Sequence, residues 1–277
     1  RDFQHDYGSL SPSVSSYKVS RDRASGRLLF LNKLDYDRPI EFSLSERGNP
    51  AVPRGGLKRG FFLSFEGIEG CGKTTQLRGL ARRLRALGYL VVETREPGGA
   101  PISEQIRTLL LDPRHRGMDA RCELLLYLAS RAQHLADRVR PALEKGAVVL
   151  CDRFADATMA YQGYGRGLGP ATVSSLNRFA TAGLAPDVAI LLDVPVAVGL
   201  ARKRRAGGLD RLDREHVSFH EAVRRGYLRI ARQNPRRVRV MDGTTTEGDV
   251  ARAIDGIVQT RLRARKSGVT RVERHAV

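Results

Sequence analysis

The sequence predicts an α/β fold: a five-stranded parallel sheet flanked by helices, preceded by a poorly ordered N-terminal extension. Three observations carry that prediction: five short apolar runs of strand length, longer stretches of helical periodicity between them, and a glycine-rich turn joining the first run to the first helix. The strands are FFLSFE at 61–66, YLVVET at 89–94, AVVLCD at 147–152, VAILLDV at 188–194 and VRVMD at 238–242. Helices are predicted over 76–87, 103–111 and about 120–143, with one or two more across 156–182 and amphipathic segments near 214–233 and 247–264. Parallel strands joined by right-handed helical crossovers place a ligand site at the carboxyl ends of the strands.

Residues 1–58 carry Ser, Gly, Pro and mixed charge around one short apolar stretch, RLLFLNKL, and are expected to be largely disordered. Residues 59–264 form the expected catalytic domain, and 265–277 a basic tail. A chain of 277 residues suffices for one well-packed domain plus such an extension. With 41% hydrophobic residues and no apolar run long enough to span a bilayer, the chain reads as soluble and not membrane-bound. The opening RDFQHDYGSL does not resemble a secretory signal. Cys71, Cys122 and Cys151 stand far apart and odd in number, as free thiols of a reducing cytoplasmic compartment do. The formal charge of +18 invites a nucleic-acid reading, but all but seven of the 48 basic residues are arginine, scattered along the whole chain. That pattern reads as a compositional bias, so nucleic acid is not taken as a partner and acidic nucleotide ligands are the better use of local arginines.

The most specific signal is Gly67-Ile68-Glu69-Gly70-Cys71-Gly72-Lys73-Thr74, followed by Thr75, a full phosphate-loop match set between a strand and a helix. Its glycines let the backbone bring successive N–H groups onto phosphate oxygens at a helix N-terminus. Lys73 should reach the β- and γ-phosphates of ATP, and the Thr74 hydroxyl should coordinate Mg²⁺. Asp152 ends the third strand, where such an enzyme needs a carboxylate near magnesium, although an Asp in that place alone is often only a helix cap. Arg95, Glu96 and Pro97 lie on a Pro/Gly turn after the second strand, read equally as a monophosphate clamp or as a surface ion pair. Tyr127 and Arg131 share a helix face, a spacing that by itself is usually packing. The run ARKRRAGGLDR at 201–211 breaks into a glycine pair, and is either a solvated basic face or a lid closing over phosphates.

Taken together, FEGIEGCGKTTQ at 65–76, TREPGG at 94–99, ELLLYLASRAQH at 123–134, CDRF at 151–154, TMAYQG at 158–163 and LDV at 192–194 resemble the bacterial thymidylate kinase family. The resemblance spans about 60–262 and implies a P-loop nucleoside monophosphate kinase fold, phosphorylation of dTMP to dTDP with Mg-ATP, and a homodimer packed through long helices such as 120–143. It implies Glu69 near the acceptor's 3′-hydroxyl, Arg95 and Arg153 on its phosphate, Tyr127 stacked on thymine and Arg131 on a thymine carbonyl. It also implies Thr158, Tyr161 and Gln162 around base and deoxyribose, and a catalytic lid arginine. The family's usual lid position is Ala206 here, so Arg204 or Arg205 takes that role in the expectation. Rival readings are a kinase of another nucleoside monophosphate on the same scaffold, and a P-loop ATPase or switch protein with no acceptor.

Overall fold

The computed structural model describes residues 57 and 59–266, together with the backbone of 18–21 and 28–31. The chain divides into two units, Arg1–Pro50 and Ala51–Val277. In the first, β1 (Lys18–Arg21) pairs antiparallel with β2 (Leu28–Leu31), Lys18 opposite Leu31. The expectations of disorder over the rest of 1–58 and of a basic tail after Lys266 lie outside the described residues.

The second unit is built on a sheet of β3 (Phe61–Glu66), β4 (Val91–Arg95), β5 (Val148–Asp152), β6 (Val188–Asp193) and β7 (Val238–Asp242). Every neighbouring pair is parallel, in the order β4-β5-β3-β6-β7. All five predicted strands are present. β4 starts later than predicted because the Tyr89 N–H still donates to Leu84 O of the preceding helix at 3.1 Å. β3 is buried on both sides, and its alternating side chains separate into two apolar clusters. Phe61, Leu63 and Phe65 meet Leu77, Leu80 and Leu84 of α1 (Lys73–Ala86) and Ile254, Val258 and Leu262 of α9 (Glu247–Lys266). Phe62 instead meets Leu135, Val139 and Ala142.

Helix α2 (Pro101–Leu111) begins with proline in its first turn, where a missing N–H has no intrahelical partner to lose. The long helix predicted over 120–143 is divided into α3 (Ala120–His134), a π-helical segment Leu135–Val139 and α4 (Arg140–Glu144). Pro141 cannot donate to the turn before it and its ring crowds that carbonyl, so the helix widens there instead of breaking. A second widened stretch, Met159–Gly165, follows α5 (Ala155–Thr158) and carries Tyr161 and Gln162; α6 (Pro170–Thr181) comes next. Helix α7 (Val196–Ala206) leaves β6 and stops at Gly207 (φ 75°), and α8 (Val217–Gln233) returns the chain to the sheet.

α7 lies hard against the phosphate loop. A Cβ built on Gly70 would stand 2.1 Å from Gly199 O, and one on Gly199 would stand 2.5 Å from Glu69 O. Neither backbone can yield alone, so Gly199 is as much a requirement of the loop as its own glycines. Gly199→Ala should therefore cost about 1–3 kcal/mol, measured as a lowered Tm and a raised KM for ATP. Gly256→Ala, in a helix with nothing within 4 Å of the new methyl, should leave Tm unchanged or raised. Equal melting of the two variants would show that the close approach is not a constraint.

Candidate active site

From Glu66 the chain turns through 67–72 into α1. Gly67 (φ 132°) and Gly72 (φ 96°) hold conformations that side chains disfavour. α1 has no side-chain cap and no acidic residue in its first turn. Its N-terminal N–H groups and positive dipole end are left for an anion. Lys73 is folded over the loop, donating from Nζ to Gly67 O at 3.1 Å and Ile68 O at 2.7 Å and meeting Cys71 Sγ at 3.4 Å. Ile68 and Cys71 are buried under it. The Thr74 hydroxyl donates to Asp152 Oδ2 at 2.7 Å. A hydroxyl and a carboxylate, hard oxygen donors brought together from α1 and β5, fit a Mg²⁺ ion. Thr75 points elsewhere, into a second cavity of ≈ 220 Å³ that also touches Cys71, Gly72 and Arg202.

A cavity of ≈ 280 Å³ opens at the carboxyl ends of β3, β4 and β5. Glu69, Gly70, Lys73 and Thr74 line it from the phosphate loop, with Asp152 and Arg153 from the end of β5. Opposite them stand Arg95, Glu96 and Pro97, then Tyr127 and Arg131 of α3, then Thr158, Tyr161 and Gln162. The structure thus brings every one of these candidates to a single cavity. It does not bring Arg204 or Arg205, which are exposed on the last turn of α7 outside the lining.

Arg153 has a left-handed backbone, φ 69°. Its N–H donates to Phe65 O at 2.9 Å. Its guanidinium donates to Gly67 O at 2.7 Å, Tyr227 Oη at 3.1 Å and Glu69 Oε1 at 3.0 Å, and packs over the Tyr161 ring. The Tyr161 hydroxyl donates to the same Glu69 oxygen, and His220 Nδ1 stands 3.3 Å from the other. Burial alone would raise the Glu69 pKa, but His220, Arg153 and Lys73 together hold it well below the usual carboxylate range.

Arg131 is fully buried, donating to Glu96 Oε2 at 2.7 Å, Asn177 Oδ1 at 2.6 Å and Phe154 O at 3.1 Å. Glu96 also faces His134 Nδ1 at 2.9 Å. Burial opposes the charge on Glu96, yet Arg131 and His134 keep its carboxyl below the ordinary value. Glu96 therefore fixes Arg131 rather than standing free toward a ligand. Gln162 donates to buried Glu123 at 2.8 Å. The Thr158 hydroxyl is buried with no partner, a polar atom left for a ligand. Arg95 Nη2 donates to both carboxylate oxygens of Glu104, at 3.0 Å each.

Several residues of the site were not legible as such. Arg107 lines the cavity close enough to Arg95 for that charge to depress its pKa, after burial, and its Nη1 donates to Pro97 O at 2.7 Å. Only its place one turn after Glu104 hints at this. Glu66 accepts from Phe154 N at 2.9 Å and from the Tyr227 hydroxyl at 3.2 Å. A carboxylate ending an otherwise apolar buried strand is a signal that could have been read. Lys203 of α7 and Asp210, both inside the run read as a lid, reach the cavity together with Asp213 beyond that run.

The family model described as thymidylate kinase matches residues 65–254. Thymidylate kinase of Geotalea uraniireducens is 51% identical over 209 residues, 73% of this chain and 98% of that one. That of Geobacter sulfurreducens is 49% identical over 209 residues, with the same coverage of each. Among solved structures, thymidylate kinase from Ehrlichia chaffeensis matches with a TM-score of 0.60 at 33% identity, covering 73% of this chain and 99% of that chain.

Burial pushes the Glu66 carboxyl up to about 8, helped by the charge of Asp156 and opposed by Arg153. The fold thus prefers its neutral form. Its stabilising contribution is complete below the unfolded value of 4.5 and fades as pH rises toward 8. Glu66→Gln, neutral at every pH, should show a flatter profile of Tm against pH than the wild type between about pH 5 and 8. Parallel profiles would mean that Glu66 does not titrate on unfolding.

Proposed function

The chain belongs to the thymidylate kinase family, and we propose a role for each side of its cavity in phosphorylating dTMP to dTDP with ATP. The observation that carries this reading is that the phosphate loop and the Arg95, Arg107, Tyr127 and Arg131 side face each other across one cavity. Donor phosphates lie along 67–75, with the nucleoside of ATP directed toward the second cavity beside Gly72, Thr75 and Arg202. Arg95, Arg107 and Arg153 hold the acceptor phosphate, since guanidinium forks suit its oxygens. Tyr127 stacks on thymine, Arg131 turns its remaining N–H donors to a base carbonyl, and Thr158 with Gln162 completes the polar edge. Glu69, kept ionised, accepts from the deoxyribose 3′-hydroxyl. Tyr161 and His220 fix its orientation.

An oxygen of the acceptor phosphate attacks the γ-phosphorus of ATP in line, without a covalent intermediate. Positioning and charge neutralisation supply most of the rate. Thr74 and Asp152 would hold Mg²⁺, which supplies charge neutralisation on the β- and γ-oxygens when bound. Lys73 leaves the loop carbonyls for the γ-phosphate, and a buried cation moving onto a polyanion gains where its former partners are only neutral dipoles. The family points to dTMP over the other monophosphates and over an acceptor-free ATPase.

The proposal extends to a homodimer in the cytoplasm. Helices α2, α3 and α6 carry Ile102, Leu109, Leu125 and Phe179 as exposed large apolar side chains, Phe179 at 88%. A partner face would remove that surface from water. The cysteines at 71, 122 and 151 are unpaired, and no helix among the described residues is long and apolar enough to cross a membrane.

A coupled assay of ADP formation with Mg-ATP tests the acceptor directly. Turnover should depend on dTMP, with dCMP and dGMP poor and no acceptor near background. Lys73→Ala should keep the melting transition and lose about 10²-fold or more in kcat, and wild-type kcat in that variant would end its assignment. Leu125→Glu should lower the mass measured by light scattering from two chains to one; an unchanged mass would place any dimer elsewhere.

A further inference from the structure

We propose that Lys203 is the lid cation that meets the transferring phosphoryl group, held on Asp213 until the phosphate arrives. This rests on the kinase reading above. α7 crosses the phosphate loop at Gly199, whose backbone is pressed against Glu69 and Gly70. The residue four positions on returns to the same helix face one turn further along. That residue is Lys203, and it lines the cavity shared by Glu69, Gly70 and Lys73.

The other cations of the segment are turned away or engaged. Arg204, Arg205 and Arg214 are exposed and outside the lining. Arg202 donates to Gly243 O at 3.1 Å and lines the second cavity. Arg211 is buried, paired with Glu123 at 2.6 Å and donating from Nε to Leu110 O at 2.8 Å. Lys203 itself is held loosely: Nζ stands 3.3 Å from Asp213 Oδ2 and donates to Gly208 O at 3.2 Å. A γ-phosphate carries more charge than one carboxylate, and a four-carbon stem lets the ammonium follow it. Gly207 and Gly208, both at positive φ with open space around them, let the segment move with it.

Asp213 holds the lysine through one carboxylate oxygen only. Its side chain is fully buried, Oδ2 accepts from Asp210 N at 2.8 Å, and Oδ1 has no partner. Burial and the neighbouring Asp210 carboxylate push its pKa up, against the Asp210 N–H bond and the Lys203 charge. In the transfer, the bond from the γ-phosphorus to the β,γ-bridging oxygen breaks and one to the dTMP phosphate oxygen forms. Lys203 keeps its protons throughout and neutralises charge on the oxygens around phosphorus.

The test compares dTMP-dependent ADP formation by the full chain and its Lys203→Ala, Lys203→Arg, Arg204→Ala, Arg205→Ala and Arg214→Ala variants. Lys203→Ala should lose roughly 10²–10³-fold in kcat with KM for ATP and dTMP moved far less. Its loss should exceed that of Arg204→Ala or Arg205→Ala by roughly tenfold or more. Lys203→Arg should recover much of the rate, and Arg214→Ala should match wild type. If Lys203→Ala melts early, Lys203→Met, which keeps the stem, takes its place and the same outcomes decide. Near-wild-type kcat without the ammonium, or an equal loss in either arginine variant, overturns the assignment while leaving the kinase reading intact. A wild-type chain indifferent to dTMP overturns both.

Discussion

The site depends on one strained residue. A non-glycine residue in the left-handed region costs about 1–2 kcal/mol, and Arg153 stays there because β3, the phosphate loop and α8 all hold it. Its backbone N–H is bound to Phe65 O, its guanidinium to Gly67 O, Glu69 and Tyr227, and its successor's N–H to Glu66. The turn after β5 therefore carries Asp152 toward Thr74 and Arg153 toward the acceptor cavity in consecutive residues. In an extended conformation, successive side chains would point to opposite faces and only one could serve.

Around that turn the polar groups are buried in sets, not pairs. Glu96 joins Arg131 and His134; Glu123 gathers Gln162 and Arg166 from one segment and Arg211 from another. Such sets add little net stability, because desolvation offsets most of the attraction. What they provide is fixed orientation: a guanidinium with most of its donors already engaged presents the remainder in one direction. Donors oriented before the reaction need no reorganisation during it. The glycine contact between α7 and the phosphate loop acts likewise, setting the distance from which the lid segment works.

The central strands β3, β5 and β6 were legible because burial on both faces demands continuous apolar runs, and the phosphate loop because only glycine tolerates its backbone. FFLSFE and the glycines at 67, 70 and 72 meet both demands locally. The residues gathered around the cavity were legible in part through family motifs. Glu66 and His220 were not singled out because each acts through residues far away in the chain, Arg107 and Asp213 because only the fold turns them to the cavity, and Lys203 stood undistinguished within the basic run at 201–211. The widened turn before Pro141 was missed for a related reason: proline marks a conflict with the helix, but packing decides how the conflict is resolved.

The sequence by itself determined the order of strands and helices, the phosphate-binding turn and the family, since these follow from periodicity and from residue types that permit few conformations. The tertiary structure decided which charged side chains face the cavity and which face water. Lys203, Arg204 and Arg205 are adjacent and chemically alike, and a helix advances 100° per residue. Only the packing of α7 on Glu69 and Gly70, which fixes its rotation about its axis, selects the one that points inward.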